Sequence, residues 1–208
     1  MINPILTTKL FMPTSRPNIV FRPLQIQKIT EGLEQGGKLT LVSAPAGYGK
    51  TTLITEWLKT LDREHAWLSI DAGDNNPQRF FTYLIAALQT IDNGFGQKID
   101  NLLRSPQLPD PETIAALLIN QIIDKGKPYV LVLDDYHLIT NEYLHRTLEF
   151  IIENSPLIFH LVIVTRHDPF LPLGRWRARN QLTELRIDDL RFAEQEVEVF
   201  FAQTMQLN

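Results

Sequence analysis

Residues 39–53 read LTLVSAPAGYGKTTL. The first five residues form an apolar run of strand length. They lead directly into Ala44-Pro45-Ala46-Gly47-Tyr48-Gly49-Lys50-Thr51, which fits the phosphate-loop pattern with alanine in place of its first glycine. An amphipathic helix follows, with Leu53, Ile54, Trp57 and Leu58 on one face. A buried strand before the loop and a helix after it are the setting the motif's mechanism requires. Small residues let the backbone N–H groups from Gly47 to Thr52 curl around a β-phosphate at the positive end of the helix. In this reading Ala46, Gly47, Tyr48, Gly49, Lys50, Thr51 and Thr52 form a nucleotide cradle. Lys50 neutralises β/γ oxygens, Thr51 ligates Mg²⁺, and Thr52 reaches the α-phosphate.

The rest of the chain alternates in the same manner. Apolar runs occur at 66–70, 129–134, 160–165 and 182–187, most of them continuous, as in strands buried on both faces of a parallel sheet. Helical stripes lie between them. Phe80, Phe81, Leu84, Ile85 and Leu88 follow Pro77, and Ile114, Leu117, Leu118 and Ile122 follow the helix-start signature Asp110-Pro111-Glu112. Leu144, Thr147, Leu148, Ile151 and Ile152 make a further stripe. A helix from Pro23 to about Gln35 ends at Gly36-Gly37. The pattern predicts an α/β P-loop NTPase fold, a five-stranded, mainly parallel sheet flanked by helices on both faces. Residues 1–22, punctuated by Pro13 and Pro17, are expected to be an extended segment bordering the nucleotide. Residues 23–191 are expected to form one ATPase domain, and 192–208 the start of a C-terminal helix.

A phosphate loop needs an acid to complete its metal site. YVLVLDD at 129–135 ends a strand in paired carboxylates, at the end where ligands collect in open α/β sheets. Asp134 is expected in the Mg²⁺ shell through water, and Asp135 to orient or activate the attacking water. A second strand ends in Thr165-Arg166, which places a guanidinium beside a γ-phosphate. Lys50, Asp135 and Arg166 are therefore the expected catalytic groups. His137 and His167 have no spacing partner and read as packing or hydrogen-bonding residues. Arg175-Trp176-Arg177-Ala178-Arg179 reads as a solvated helix face or a subunit contact rather than a surface for single-stranded nucleic acid.

Composition narrows the rest. The 208 residues carry 20 basic and 24 acidic side chains, a net charge of −4, which argues against broad adhesion to nucleic acid or anionic lipid. There is no cysteine, so disulfides and thiolate chemistry are excluded. No stretch approaches the roughly 20 apolar residues of a membrane span. A cytoplasmic protein is expected.

Several phrases together carry a family resemblance. TTKLFMPTSRPNIVFRPLQIQKI, SAPAGYGKTTLITEW, AWLSIDAGDNNPQRFFTYLIAAL, LVLDDYHLI and LRFAEQEVEVFF resemble the N-terminal nucleotide-binding domain of MalT-like, LuxR-type transcriptional regulators, which are STAND ATPases. The resemblance covers nearly the whole chain and is weakest across 92–128. It implies a switch, with an ADP-bound resting form and an ATP- and inducer-bound form that self-associates, reset by slow hydrolysis. It implies that the Arg16–Pro23 stretch borders the adenine, with Arg22 the candidate, and it places Asp71 and Asp74 in a DxGD turn. Asp74 is read from its position as a cap of the Pro77 helix. The family's usual Thr before x-x-Glu is Ala193 here, so the side-chain cap of the last helix is missing. The family's lid, inducer-binding repeats and helix-turn-helix do not fall within these residues, so binding of inducer and DNA is assigned to other domains of a longer regulator. A P-loop small-molecule kinase, or an interaction module without hydrolysis, is the alternative reading.

Overall fold

Continuous Val/Leu/Ile runs make strands that no solvent-facing helix could use, and the computed structural model assembles five of them. It describes residues 4–14, 19–97, 99–103, 105 and 107–204. In chain order the elements are α1 (Pro23–Glu34), β1 (Leu39–Ser43), α2 (Lys50–Lys59), β2 (Glu64–Ser69), α3 (Pro77–Gln89), α4 (Asp100–Leu103), α5 (Pro111–Lys125), β3 (Tyr129–Asp134), α6 (Glu142–Asn154), β4 (Phe159–Thr165), α7 (Leu173–Ala178), β5 (Leu182–Leu185), α8 (Ile187–Leu190) and α9 (Glu194–Thr204). The sheet order is β2-β3-β4-β1-β5, and every pairing is parallel.

Alternation along each strand sends side chains to opposite faces. Leu39, Leu41, Leu131, Leu133, Leu161 and Ile163 pack with α3, α5 and α6. Val42, Val130, Val132, Val162, Val164 and Leu185 pack with α1 and α2 on the other face. Trp57, fully buried in α2, donates its indole N–H to Thr30 Oγ1 of α1 at 3.1 Å and locks the two helices together. His160 is buried in the middle of the sheet, its ring nitrogens 2.9 Å from Thr40 Oγ1 and 2.8 Å from the Gly37 carbonyl.

The helix starts follow capping chemistry. Asp110 accepts from Thr113 N at 2.8 Å with Pro111 in the first turn of α5, as the sequence predicts. Asp74 does not cap α3. That task falls to Asn76, whose side chain accepts from Arg79 N at 3.0 Å. Asp74 instead closes a capping box with Asp71 on the short 3₁₀ turn Ala72–Asn75. It is fully buried, paired with Lys9 and, at 2.9 Å, with Arg79 Nε. Its role is misjudged from sequence because its principal partner lies 65 residues away. Thr7–Leu10 form a 3₁₀ turn rather than extended chain, and Lys9 stacks 4.1 Å from the Tyr83 ring centroid. This turn packs beside β2, an edge strand. Arg16 lies outside the described residues.

Candidate nucleotide site

Parallel register brings the C-terminal ends of three neighbouring strands to one rim of the sheet. Ser43 at the end of β1 is opposite Thr165 of β4, and Asp134 ends β3 on β4's other side. The loop after β1 turns over this rim. Gly47 and Gly49 adopt φ of +88° and +70°, the left-handed region that a Cβ disfavours. Gly49 is also the N-cap of α2 and supplies no side chain to its first turn, whose amide groups face the rim. Ala46, Gly47 and Gly49 are exposed, Tyr48, Thr51 and Thr52 half-buried, and Lys50 buried.

Lys50 donates from Nζ to the Pro45 carbonyl at 2.9 Å, which folds its ammonium back over the loop. Burial lowers its pKa; the charges of Asp134 and Asp135 oppose that shift and Arg166 adds to it. Thr51 Oγ1 donates to Asp134 Oδ2 at 3.0 Å, and the Asp135 amide donates to Asp134 Oδ1 at 2.9 Å. Asp134 is nevertheless pushed up to about 6, chiefly by burial and then by the Asp135 charge. The next residue, Asp135, takes φ of +57°, ψ of +33°, a left-handed backbone that aspartate tolerates better than most residues. This turn leaves the Asp135 carboxylate half exposed beside the buried one.

Arg166 is exposed just past β4; burial chiefly lowers the pKa of Lys50 and of His137, and the nearby Arg166 charge adds to both shifts. The structure thus gathers Lys50, Thr51, Asp134, Asp135 and Arg166 on one rim. Thr52 lies in the first turn of α2 alongside them. His137 and His167 also meet there, their rings edge-to-face with centroids 6.0 Å apart.

Arg22 is placed differently. It is buried, and its guanidinium donates to the carbonyls of Leu190 at 3.0 Å and Arg191 at 2.9 Å and pairs with Glu196 at 3.1 Å. It also lies 5.2 Å from the Phe192 ring centroid. Glu196 in turn accepts from Ala193 N at 2.8 Å, the reciprocal half of a capping box whose other half the Ala193 methyl cannot supply. Arg22 therefore fixes residues 190–193, and Leu190, Arg191 and Phe192 face Ala46, Gly47 and Tyr48 across a cleft of about 470 Å³. Sequence reading missed this wall, because only the fold brings residue 190 to the phosphate loop.

Two of the three arginines at α7 are paired with neighbouring elements. Arg175 pairs with Glu153, and Arg177 makes a two-pronged bond to Glu184 at 2.6 and 2.8 Å. Trp176 between them is fully buried, so it offers no face for base stacking.

The donor set suits a divalent cation of the magnesium type. Thr51 and Asp134 provide adjoining hard oxygens, and no group of three or more His, Asp or Glu side chains among the described residues makes a self-sufficient metal cage. Mg²⁺ needs only one or two protein oxygens when phosphate and water complete its octahedron.

A five-stranded parallel sheet of this order, with a phosphate loop after β1 and an acidic pair after β3, defines a P-loop ATPase. The chain belongs to the AAA ATPase domain family, whose model matches residues 18–164. It is 36% identical over 197 residues to the HTH-type transcriptional regulators MalT of Serratia proteamaculans and of Yersinia enterocolitica. The match takes in 95% of this chain and 22% of each relative, so the chain spans about a fifth of their length. Among solved structures, Cdc6p from Pyrobaculum aerophilum superposes with a TM-score of 0.50 at 18% identity, covering 85% of this chain and 46% of that one, a likeness of fold alone. No helix among the described residues is long and apolar enough to cross a membrane.

Proposed function

We propose that the chain is the ATP/ADP-binding switch module of a MalT-like, LuxR-type transcriptional regulator, with slow Mg²⁺-dependent ATP hydrolysis. The observation that carries this reading is the 3.0 Å bond between Thr51 and Asp134 with the Lys50 ammonium folded over the same loop. Together they supply a phosphate cradle, a cation charge and two hard oxygens at one point. Residues 46–52 take the phosphates, and Thr51 and Asp134 hold Mg²⁺, which would shield the phosphate charge. Residues 23–191 act as the ATPase domain. Of the N-terminal segment, the described residues 19–22 border the nucleotide, while Thr7–Leu10 lie at the β2 edge with β3 and β4 between them and β1. Residues 192–208 lead toward the lid, sensor and helix-turn-helix domains of the longer regulator. Arg22 serves the nucleoside end by holding the 190–193 wall.

In hydrolysis, the oxygen of a water oriented by Asp135 bonds to the γ-phosphorus. The β–γ bridging oxygen leaves with the bond pair on ADP, and the water proton passes to the released phosphate. Arg166 offsets charge at the γ-phosphate. Turnover is slow because the aspartate side chain at 135 is shorter than glutamate and must reach further. Self-association in the ATP state, an inducer and DNA are assigned to the full-length protein.

Incubating the chain with MgATP and candidate small-molecule acceptors tests this against a kinase on the same fold. The switch reading expects free phosphate at less than about one turnover per second, at the low end for enzymes. Phosphorylated acceptor forming faster than free phosphate would favour the kinase. Binding without any phosphate release would favour an interaction module.

A further inference from the structure

His137 lies in the short 3₁₀ turn Tyr136–Leu138, which starts from the left-handed backbone of Asp135. Its Nδ1 is buried and has no hydrogen-bond partner among the described residues. The nearest acidic oxygen is Asp135 Oδ1, 3.7 Å away, just beyond hydrogen-bond reach. Only 11% of the His137 side chain is exposed, and the His167 ring packs edge-on against it, so it has little freedom to seek water instead. A buried ring nitrogen left unpaired is unfavourable unless some state of the protein satisfies it. The half-exposed Asp135 carboxylate is the group free to close the gap, by a small side-chain rotation.

We infer that His137 is a positioning residue for Asp135: its Nδ1–H donates to Oδ1 when the γ-phosphate is seated, and this bond aims the second carboxylate oxygen at the attacking water. The inference rests on the ATPase reading above and adds a residue to it. The proton on Nδ1 stays on the imidazole throughout; the bond orients and transfers nothing. Asparagine can put its amide nitrogen close to the place of Nδ1, whereas alanine cannot.

The test uses the 208-residue chain. The wild type, His137→Ala and His137→Asn are compared in MgATP hydrolysis, in MgADP affinity and in affinity for MgADP with aluminium fluoride, a mimic of the transferring phosphoryl group. The expected result for His137→Ala is a loss of about tenfold or more in turnover and in the extra affinity for the fluoride complex. MgADP affinity should stay within about twofold, and His137→Asn should recover most of both losses. His137→Ala combined with Asp135→Asn should fall no further than Asp135→Asn alone. Wild-type turnover and fluoride affinity in His137→Ala would overturn the inference. So would equal losses in the alanine and asparagine variants, or a wild type that binds MgADP but gains nothing from fluoride. A wild type that binds neither MgATP nor MgADP would defeat the ATPase reading itself.

Discussion

Thr51 Oγ1 and Asp134 Oδ2 are 3.0 Å apart although 83 residues separate them in the chain. One follows β1 and the other ends β3, with β4 lying between those strands in the sheet. The contact therefore depends on the strand order and links the phosphate loop to the acidic strand. Its neighbours give the site its asymmetry: a buried acid in contact with a hydroxyl, and an exposed acid beside it on a left-handed backbone.

The wall at 190–193 should serve the nucleoside and not the phosphates. Arg22→Ala removes the guanidinium's bonds to Leu190, Arg191 and Glu196. Charge-assisted bonds of this kind contribute roughly 1.5–3 kcal/mol, so MgADP should bind about tenfold more weakly. Pyrophosphate, which lacks the nucleoside, should bind within about twofold of wild type. Calorimetric titration of both ligands checks this, and equal weakening of the two would place Arg22 with the phosphates.

Asp74 should be a stability residue. It is fully buried between Lys9 and Arg79, so Asp74→Asn leaves the buried Lys9 ammonium with only the half-exposed Asp71 carboxylate, 3.0 Å away. Losing charge-assisted bonds of this kind destabilises by about 1.5–3 kcal/mol. Urea unfolding should show that loss, with earlier proteolysis around Thr7–Leu10. A change under about 0.5 kcal/mol would mean that the network is solvated.

His160 should make the fold acid-sensitive. Burial lowers its pKa from 6.5 to about 4, so the folded state resists a proton that the unfolded chain accepts. Its contribution is whole above pH 6.5 and is lost as pH falls toward 4, by about 3 kcal/mol. Asp134 acts in the opposite sense. Its pKa is raised from 3.8 to about 6, so its ionised form burdens the fold above pH 6 and is relieved below it. The two nearly offset in the wild type. His160→Gln removes one and leaves the other, so the wild type should lose about 3 kcal/mol relative to His160→Gln between pH 7.5 and pH 4. Parallel pH profiles for the two proteins would contradict this.

How much of this is legible in the sequence follows from the range of each interaction. The strands read correctly because LTLVS, YVLVLD and HLVIVT are continuous apolar runs, the mark of burial on both faces. Gly47 to Thr52 and the Asp134-Asp135 pair are legible as one candidate site because the residues of each are consecutive, and the fold brings the two stretches to one rim. The partners of Asp74 and Arg22 are not legible in this way. Asp74 looks like a local cap until Lys9 is brought to it, and the Arg22 guanidinium finds carbonyls about 168 positions on. The exposure of Asp135 toward His137 depends on a backbone angle that composition does not encode. The 3₁₀ turn at Thr7–Leu10 and the four-residue α4 are too short to carry a period.

Nucleotide binding through Lys50 is the central claim, and titration of the chain and of Lys50→Ala with MgADP and MgATP, followed by thermal or urea unfolding, tests it most directly. At about 100 times Kd the wild type should gain about 2.7 kcal/mol. Lys50→Ala should fold alike without ligand and lose most of that gain, since its ammonium is the charge folded over the loop. A wild type with no gain, or a Lys50→Ala variant with the full gain, would contradict the account.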